Sequence, residues 1–174
     1  MKGINPGSKI TKGNFKNGLL NGFAYMKSPD MSYTFKGYYI DGRREGPAVE
    51  TFHNEGLTYK GSIKRDRKNG VGFVSIMNLK ANYSYFGYWD NDQIDRFGVE
   101  DDRTIKSIYE GQFSGRNKRG ICKIVNRDFS YLGEIIDGKK QGFGRLENDF
   151  ESYIGSWDQD EKSGLGLCVM VKDD

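Results

Sequence analysis

The chain has 174 residues, a length that suits one domain with a core of its own. Its net charge of +3 is too small for bulk electrostatics to specify a nucleic-acid or membrane partner, and its two cysteines are too few for a disulfide framework. Glycine is abundant (24), as are Phe (11) and Tyr (11) beside 2 Trp and only 3 Pro, which excludes a disordered chain and points to short strands joined by tight turns.

Residues 1–10 read as an N-terminal extension or edge segment, and 11–174 as a single domain of hairpins. The opening MKGINPGSKITKG lacks an apolar run of signal-peptide length. The first hairpin, TKGNFKNGLLNGFA from Thr11, turns at Asn17-Gly18 and is followed by the turn cluster at Ser28. The second, FKGYYIDGRREGPA from Phe35, turns at Asp41-Gly42 and runs to the cluster at His53. YKGSIKRDRKNGVG from Tyr59 is the third, and YFGYWDNDQIDRFG from Tyr85 the fourth, closed by the cluster at Asp101. The fifth, YEGQFSGRNKRGIC from Tyr109, turns at Ser114-Gly115 and ends at Asn126. The sixth, YLGEIIDGKKQGFG from Tyr131, turns at Asp137-Gly138 and ends at Glu147, and YIGSWDQDEKSGLG from Tyr153 is the seventh.

All seven share one frame: an aromatic at place one, glycine at place three, an apolar residue at place five, and Gly-x-Gly at places twelve to fourteen. Place three is Gly13, Gly37, Gly61, Gly87, Gly111, Gly133 and Gly155, with Thr11 the only non-aromatic at place one. One glycine loop could cradle a phosphate, but seven are structural, the mark of a repeat architecture. Places one, three and five project to the same face of a strand, so that face reads ring, gap, ring. Every step between copies is even, which keeps each side chain on its face.

These residues resemble the MORN (membrane occupation and recognition nexus) repeat, whose units begin Tyr-x-Gly-x-Trp and continue to Gly-x-Gly. The resemblance covers about 11–170, with departures at Arg96 and Cys122, which replace glycines in the fourth and fifth copies, and at Ala24 and Ala48. It implies an all-β fold, an elongated, twisted, single-layer antiparallel meander of about seven stacked hairpins. It also implies a part in protein assembly, as in ciliary radial spokes and parasite cytoskeletal rings, or attachment to phosphoinositide kinases and lysine methyltransferases.

A single layer leaves its faces uncovered, and contiguous apolar patches mark interaction sites. The expected partner-binding groove is lined by Phe15, Tyr39, Tyr85, Trp89, Tyr109, Phe113, Tyr131, Tyr153 and Trp157. The opposing reading is that these rings only pack over glycines and each other. YSYFGYW, with Tyr83, Tyr85 and Trp89 on one face and Phe86 and Tyr88 on the other, is the expected hot spot. The hairpin tips form a basic edge of Arg43, Arg44, Lys64, Arg65, Arg67, Lys68, Arg116, Lys118, Arg119, Lys139 and Lys140, suited to anionic lipid or acidic tails but partly cancelled by nearby aspartates.

Catalytic chemistry is not expected. His53 has no placed partner, DNDQID at Asp90 departs from a calcium loop at Ile94, and no nucleophile elbow or Walker loop occurs. No cofactor or metal is expected, nor a bridge between Cys122 and Cys168, two hairpins apart. No eighteen apolar residues run together, so no membrane-spanning helix is expected; two cysteines suit a reducing compartment, and with the resemblance the expected location is cytoplasmic, cytoskeletal or ciliary. The last strand, LGLCVMV from Leu165, is an apolar edge for a partner or a second copy of the chain. The expected function is a non-catalytic interaction scaffold of a cytoskeletal or ciliary assembly; the alternatives are an adaptor on phosphoinositide membranes and the targeting region of a larger kinase or methyltransferase.

Overall fold

A computed structural model of the protein describes residues 9–171. The chain is all-β, with fourteen strands in meander order and no helix among the described residues. The strands are β1 (Ile10–Lys16), β2 (Leu19–Lys27), β3 (Tyr33–Ile40), β4 (Arg43–Phe52), β5 (Leu57–Lys64), β6 (Arg67–Met77) and β7 (Asn82–Asp90). They continue as β8 (Gln93–Asp102), β9 (Ser107–Ser114), β10 (Asn117–Val125), β11 (Phe129–Ile136), β12 (Lys139–Asn148), β13 (Glu151–Asp158) and β14 (Glu161–Met170). They fall into two units, one ending at Gln93 and the other beginning at Ile94.

Six of the seven hairpin tips are two-residue turns in which both residues have positive φ, as at Asn17-Gly18, Asp41-Gly42 and Asp137-Gly138, whereas at Gly115-Arg116 only the glycine does. That geometry matches the twist of the flanking strands and favours Asn-Gly and Asp-Gly. Three tips use side-chain-bearing pairs instead: Arg65-Asp66 (φ 49° and 69°), Asn91-Asp92 (φ 48° and 69°) and Gln159-Asp160 (φ 51° and 73°). The compensation is visible in the preceding hairpin. Asp66 Oδ1 accepts from the Arg44 amide at 3.0 Å and Asp160 Oδ1 from the Lys140 amide at 2.9 Å. The Asp66 and Asp160 amides return bonds to the Arg44 and Lys140 carbonyls. Each aspartate therefore ties one tip to the one before it.

Within a hairpin the register is interrupted in a repeated way. Gly61 pairs with Gly72 and Ile63 with Lys68, so the second strand carries two more residues than the first. The same excess occurs between Gly133–Gly144 and Glu134–Gln141. Because the excess is even, the faces are preserved on both sides of it. Place twelve sits in this bulge with positive φ, for example Gly70 at 91° and Gly142 at 64°, which is why the first glycine of Gly-x-Gly recurs. Arg96 occupies the position at φ 58°. Between hairpins the registers are unbroken, as in Gly72–Gly87 of the first unit and Gly144–Gly155 of the second.

The place-three and place-fourteen glycines have a different cause. The Tyr131 ring lies across the Gly133–Gly144 pair, and a Cβ on Gly133 would stand 2.5 Å from Tyr131 Oη. Tyr131 Oη then donates to the Glu134 carbonyl at 2.8 Å, three residues along its own strand. Tyr59, Tyr109 and Tyr153 do the same to Ser62, Gln112 and Ser156. Trp157 donates through Nε1 to the Gly144 carbonyl at 3.1 Å and meets Tyr131 and Tyr153 edge-on. In the first unit Trp89 bonds the Gly72 carbonyl and meets Tyr59 and Tyr85 in the same way. These rings, with Phe35 and Ile63 in one unit and Phe113 and Ile135 in the other, are the core.

Candidate interaction surfaces

Eight of the nine rings expected to line an open groove are buried: Tyr39, Tyr85 and Trp89 in the first unit, and Tyr109, Phe113, Tyr131, Tyr153 and Trp157 in the second. Phe15 is 61% exposed. Its hairpin has Thr11 rather than a ring at place one, so Phe15 has no aromatic partner on its strand. The expectation of wet rings is corrected on this point, and the reason is local. The missing side chain at place three lets each ring lie flat on backbone, and the hydroxyl finds an acceptor in its own strand. Burial raises the Tyr59, Tyr109 and Tyr131 phenols above the ordinary range.

The same face carries cations that had been assigned to the tips. Lys68 Nζ lies 5.1 Å from the Tyr59 ring centre and 5.4 Å from Trp89. Lys118 sits over Tyr109 at 4.8 Å, and Lys140 over Tyr131 and Trp157. Arg44 covers Phe35 at 5.7 Å. All are at place ten, and their aliphatic stems shield the ring column while the charged heads reach its surface. Lys162, absent from the expected basic edge, covers Tyr153 at 5.0 Å. Its signal was its place in the frame, tenth like the others.

Anions accompany these cations. Arg44 pairs with Glu50 and, at 3.1 Å, with Asp66; Lys118 pairs with Glu100. Glu50 is 5% exposed, the only buried charged residue among those described, and also accepts from Tyr33 Oη at 2.9 Å. Partial burial opposes the charge on Asp66, but the Arg44 amide and guanidinium outweigh it and hold the carboxyl below its usual range. Arg43, Lys64, Arg65, Arg67, Arg116, Arg119 and Lys139 stay exposed at the tips, whereas Arg44, Lys68, Lys118 and Lys140 are half-buried. The expected edge therefore divides between tip and ring face.

The reverse face is the apolar exposed one. In the first unit Phe23 meets Tyr38 edge-on at 5.6 Å, and Val71 stands opposite Tyr88 with both exposed. Phe86 is 54% exposed beside them. The segment expected as a hot spot thus splits, with Tyr85 and Trp89 sealed on one side and Phe86 and Tyr88 open on the other. In the second unit Phe97, Ile121, Phe143 and Leu132 are exposed, as is β14 along its length.

Among the described residues no group of three or more His, Cys, Asp or Glu is placed to hold a metal ion, and no helix is long and apolar enough to cross a membrane. His53 is exposed, with Nε2 3.3 Å from Thr34 Oγ1. Cys122 is buried and Cys168 exposed, both as free thiols. Burial pushes the Cys122 thiol up to about 11.

A meander of ring-on-glycine hairpins, with a bulge glycine in all but the fourth, defines a β-repeat protein. The MORN repeat model matches residues 12–30, 35–56, 85–103, 131–147 and 153–173, more than half of the chain, and the protein belongs to that family. The hairpins from Tyr59 and Tyr109 lie outside those matches but carry the same tyrosine-to-carbonyl bond. The chain is also 25% identical to Alsin of Rattus norvegicus over 114 residues, which is 62% of this chain and 7% of Alsin. MORN repeats fit a non-catalytic adaptor or a membrane-associated role.

Proposed function

We propose that this protein is a non-catalytic scaffold for protein assembly, working in a cytoskeletal or ciliary structure of the radial-spoke kind. The observation that carries the reading is the contrast between its faces. The ring face is closed by its own tyrosines and place-ten cations, while Val71, Tyr88, Phe23 and Tyr38 stand exposed on the reverse face of the first unit. Exposed apolar and aromatic side chains grouped on one face suit a protein partner. The phosphoinositide alternative draws less support, because four of its eleven basic side chains cover rings and three of those four also pair with carboxylates.

Proximity labelling in ciliated cells tests the reading. The wild-type protein is expected to label axonemal or cytoskeletal neighbours, and Val71→Glu with Tyr88→Glu to lose them without losing the folded state. Labelling confined to lipid-anchored proteins, or neighbours unchanged in the double variant, would replace it.

A further inference from the structure

One row on the reverse face of the first unit has an order that the scaffold reading does not require. The registers place Lys12 opposite Tyr25, Tyr25 opposite Lys36, Lys36 opposite Val49, Val49 opposite Lys60, and Lys60 opposite Phe73, with Phe86 next. Directly opposed residues share a face, so this is a continuous line with one side chain per strand, alternating lysine and apolar. The three lysines are exposed, and none makes an ion pair among the described residues. Lys36 rests over Tyr25 with Nζ 5.9 Å from its ring centre. Of the flanking rows, one holds Thr34, Thr51 and Thr58 and the other Phe23 and Tyr38, and neither contains a carboxylate. This strip therefore has unbalanced positive charge among apolar groups, a combination the tips and the ring face lack.

Spacing selects the occupant. Neighbouring strands are about 4.8 Å apart, so successive lysines recur at about 10 Å with an apolar residue midway. A helix rises about 10.5 Å in seven residues and presents a same-face neighbour at about half that distance, three or four residues on. An extended chain repeats on one face at about 6.8 Å and fits neither interval. A fluid lipid surface has no repeat to match. We propose that the Lys12–Phe86 row docks an amphipathic helix of a partner protein, laid across the strands, with carboxylates at seven-residue intervals and apolar side chains between them. Lys12 to Lys60 spans about 19 Å, which two such heptads cover. The proposal rests on the scaffold reading and names the face and chemistry of one contact.

The test is fluorescence anisotropy with the full chain and a synthetic helical peptide of about 18 residues. The peptide carries Glu every seventh residue and Leu midway. Saturable one-to-one binding is expected, weakened at least tenfold by Lys36→Glu with Lys60→Glu and unchanged by Lys139→Glu at a tip. A peptide with Lys in place of Glu should restore binding to the double variant, which separates charge pairing from a folding defect. Failure of the wild-type chain to bind, equal binding of a scrambled peptide, or an unaffected double variant overturns the proposal. So does the same lysine dependence on phosphatidylserine vesicles without peptide binding. If the wild-type protein labels axonemal neighbours and the Lys→Glu variant keeps them, the row is wrong and the scaffold stands. If the wild type labels no assembly, the scaffold reading itself fails.

Discussion

Replacing Gly133 by alanine adds one methyl group where the structure leaves no room. The new Cβ would lie 2.5 Å from Tyr131 Oη, 2.6 Å from the Gly144 Cα on the neighbouring strand, and 2.7 Å from Tyr131 Cζ. The ring and the facing backbone cannot both keep their places, so the tyrosine must leave and the paired strands must part slightly. The tyrosine then gives up its bond to the Glu134 carbonyl, about 1 kcal/mol, and much of the burial of a ring now almost wholly covered, about 2 kcal/mol. Loss of the edge contact with Trp157 adds about 1 kcal/mol. Against these stands the gain from removing a strand glycine, about 0.5–1 kcal/mol. The net expectation is a loss of about 3 kcal/mol, read as a lower urea midpoint by tryptophan fluorescence. Gly138→Ala at the adjacent tip, where nothing lies within 4 Å but φ is 79°, should lose only about 1 kcal/mol. In a Tyr131→Leu background Gly133→Ala should cost less, because the collision with the ring is gone and only that with the Gly144 Cα remains. Equal losses at Gly133 and Gly138, or additivity with Tyr131→Leu, would refute the tyrosine-on-glycine account.

Arg96 at φ 58° predicts that Arg96→Gly keeps or raises stability, while β-branched Arg96→Val loses about 1–2 kcal/mol; thermal melts compare the two. Arg44→Ala should cost about 3 kcal/mol by stranding the buried Glu50, and Arg44→Leu with Glu50→Val, apolar like Val74 at the same place, should recover most of it in urea melts. Burial holds the Cys122 proton up to about 11, whereas an unfolded cysteine releases it near pH 8.5. Between those values the native chain binds the proton and the unfolded chain does not, so stability falls as pH rises. Cys122→Ala, the residue of the first two hairpins, should flatten that decline in urea titrations at stepped pH.

The hairpins were legible because glycine, aromatic and Gly-x-Gly recur at even steps, and even steps survive the two-residue bulge inside each hairpin. The bulge itself was not legible, since an even excess leaves no trace in alternation. Nor was the fate of the rings. Parity groups Tyr131, Gly133 and Ile135 on one face but does not say that the phenol turns along its own strand to the Glu134 carbonyl. The place-ten residues were read by charge alone as tips. Their long stems let Lys68 and Lys140 fold inward over rings, an option a charge pattern does not reveal. Arg65-Asp66 carried no turn signature because its stabilisation comes from the Arg44 amide, more than twenty residues away.

The two faces of each hairpin answer to different constraints, and this determines where recognition can vary. On the ring face, places one and three are fixed by mutual contact: a ring needs a glycine beneath it, and that glycine admits nothing larger. Place two, on the reverse side of the same strand, carries no such obligation. Its occupants are Lys12, Lys36, Lys60, Phe86, Glu110, Leu132 and Ile154. A position that cycles through lysine, phenylalanine, glutamate and leucine while its neighbours stay constant is not determined by the fold. The repeat can therefore change what its reverse face offers, hairpin by hairpin, without disturbing the rings that hold it together. In the first unit that freedom takes the form of three lysines set between apolar side chains.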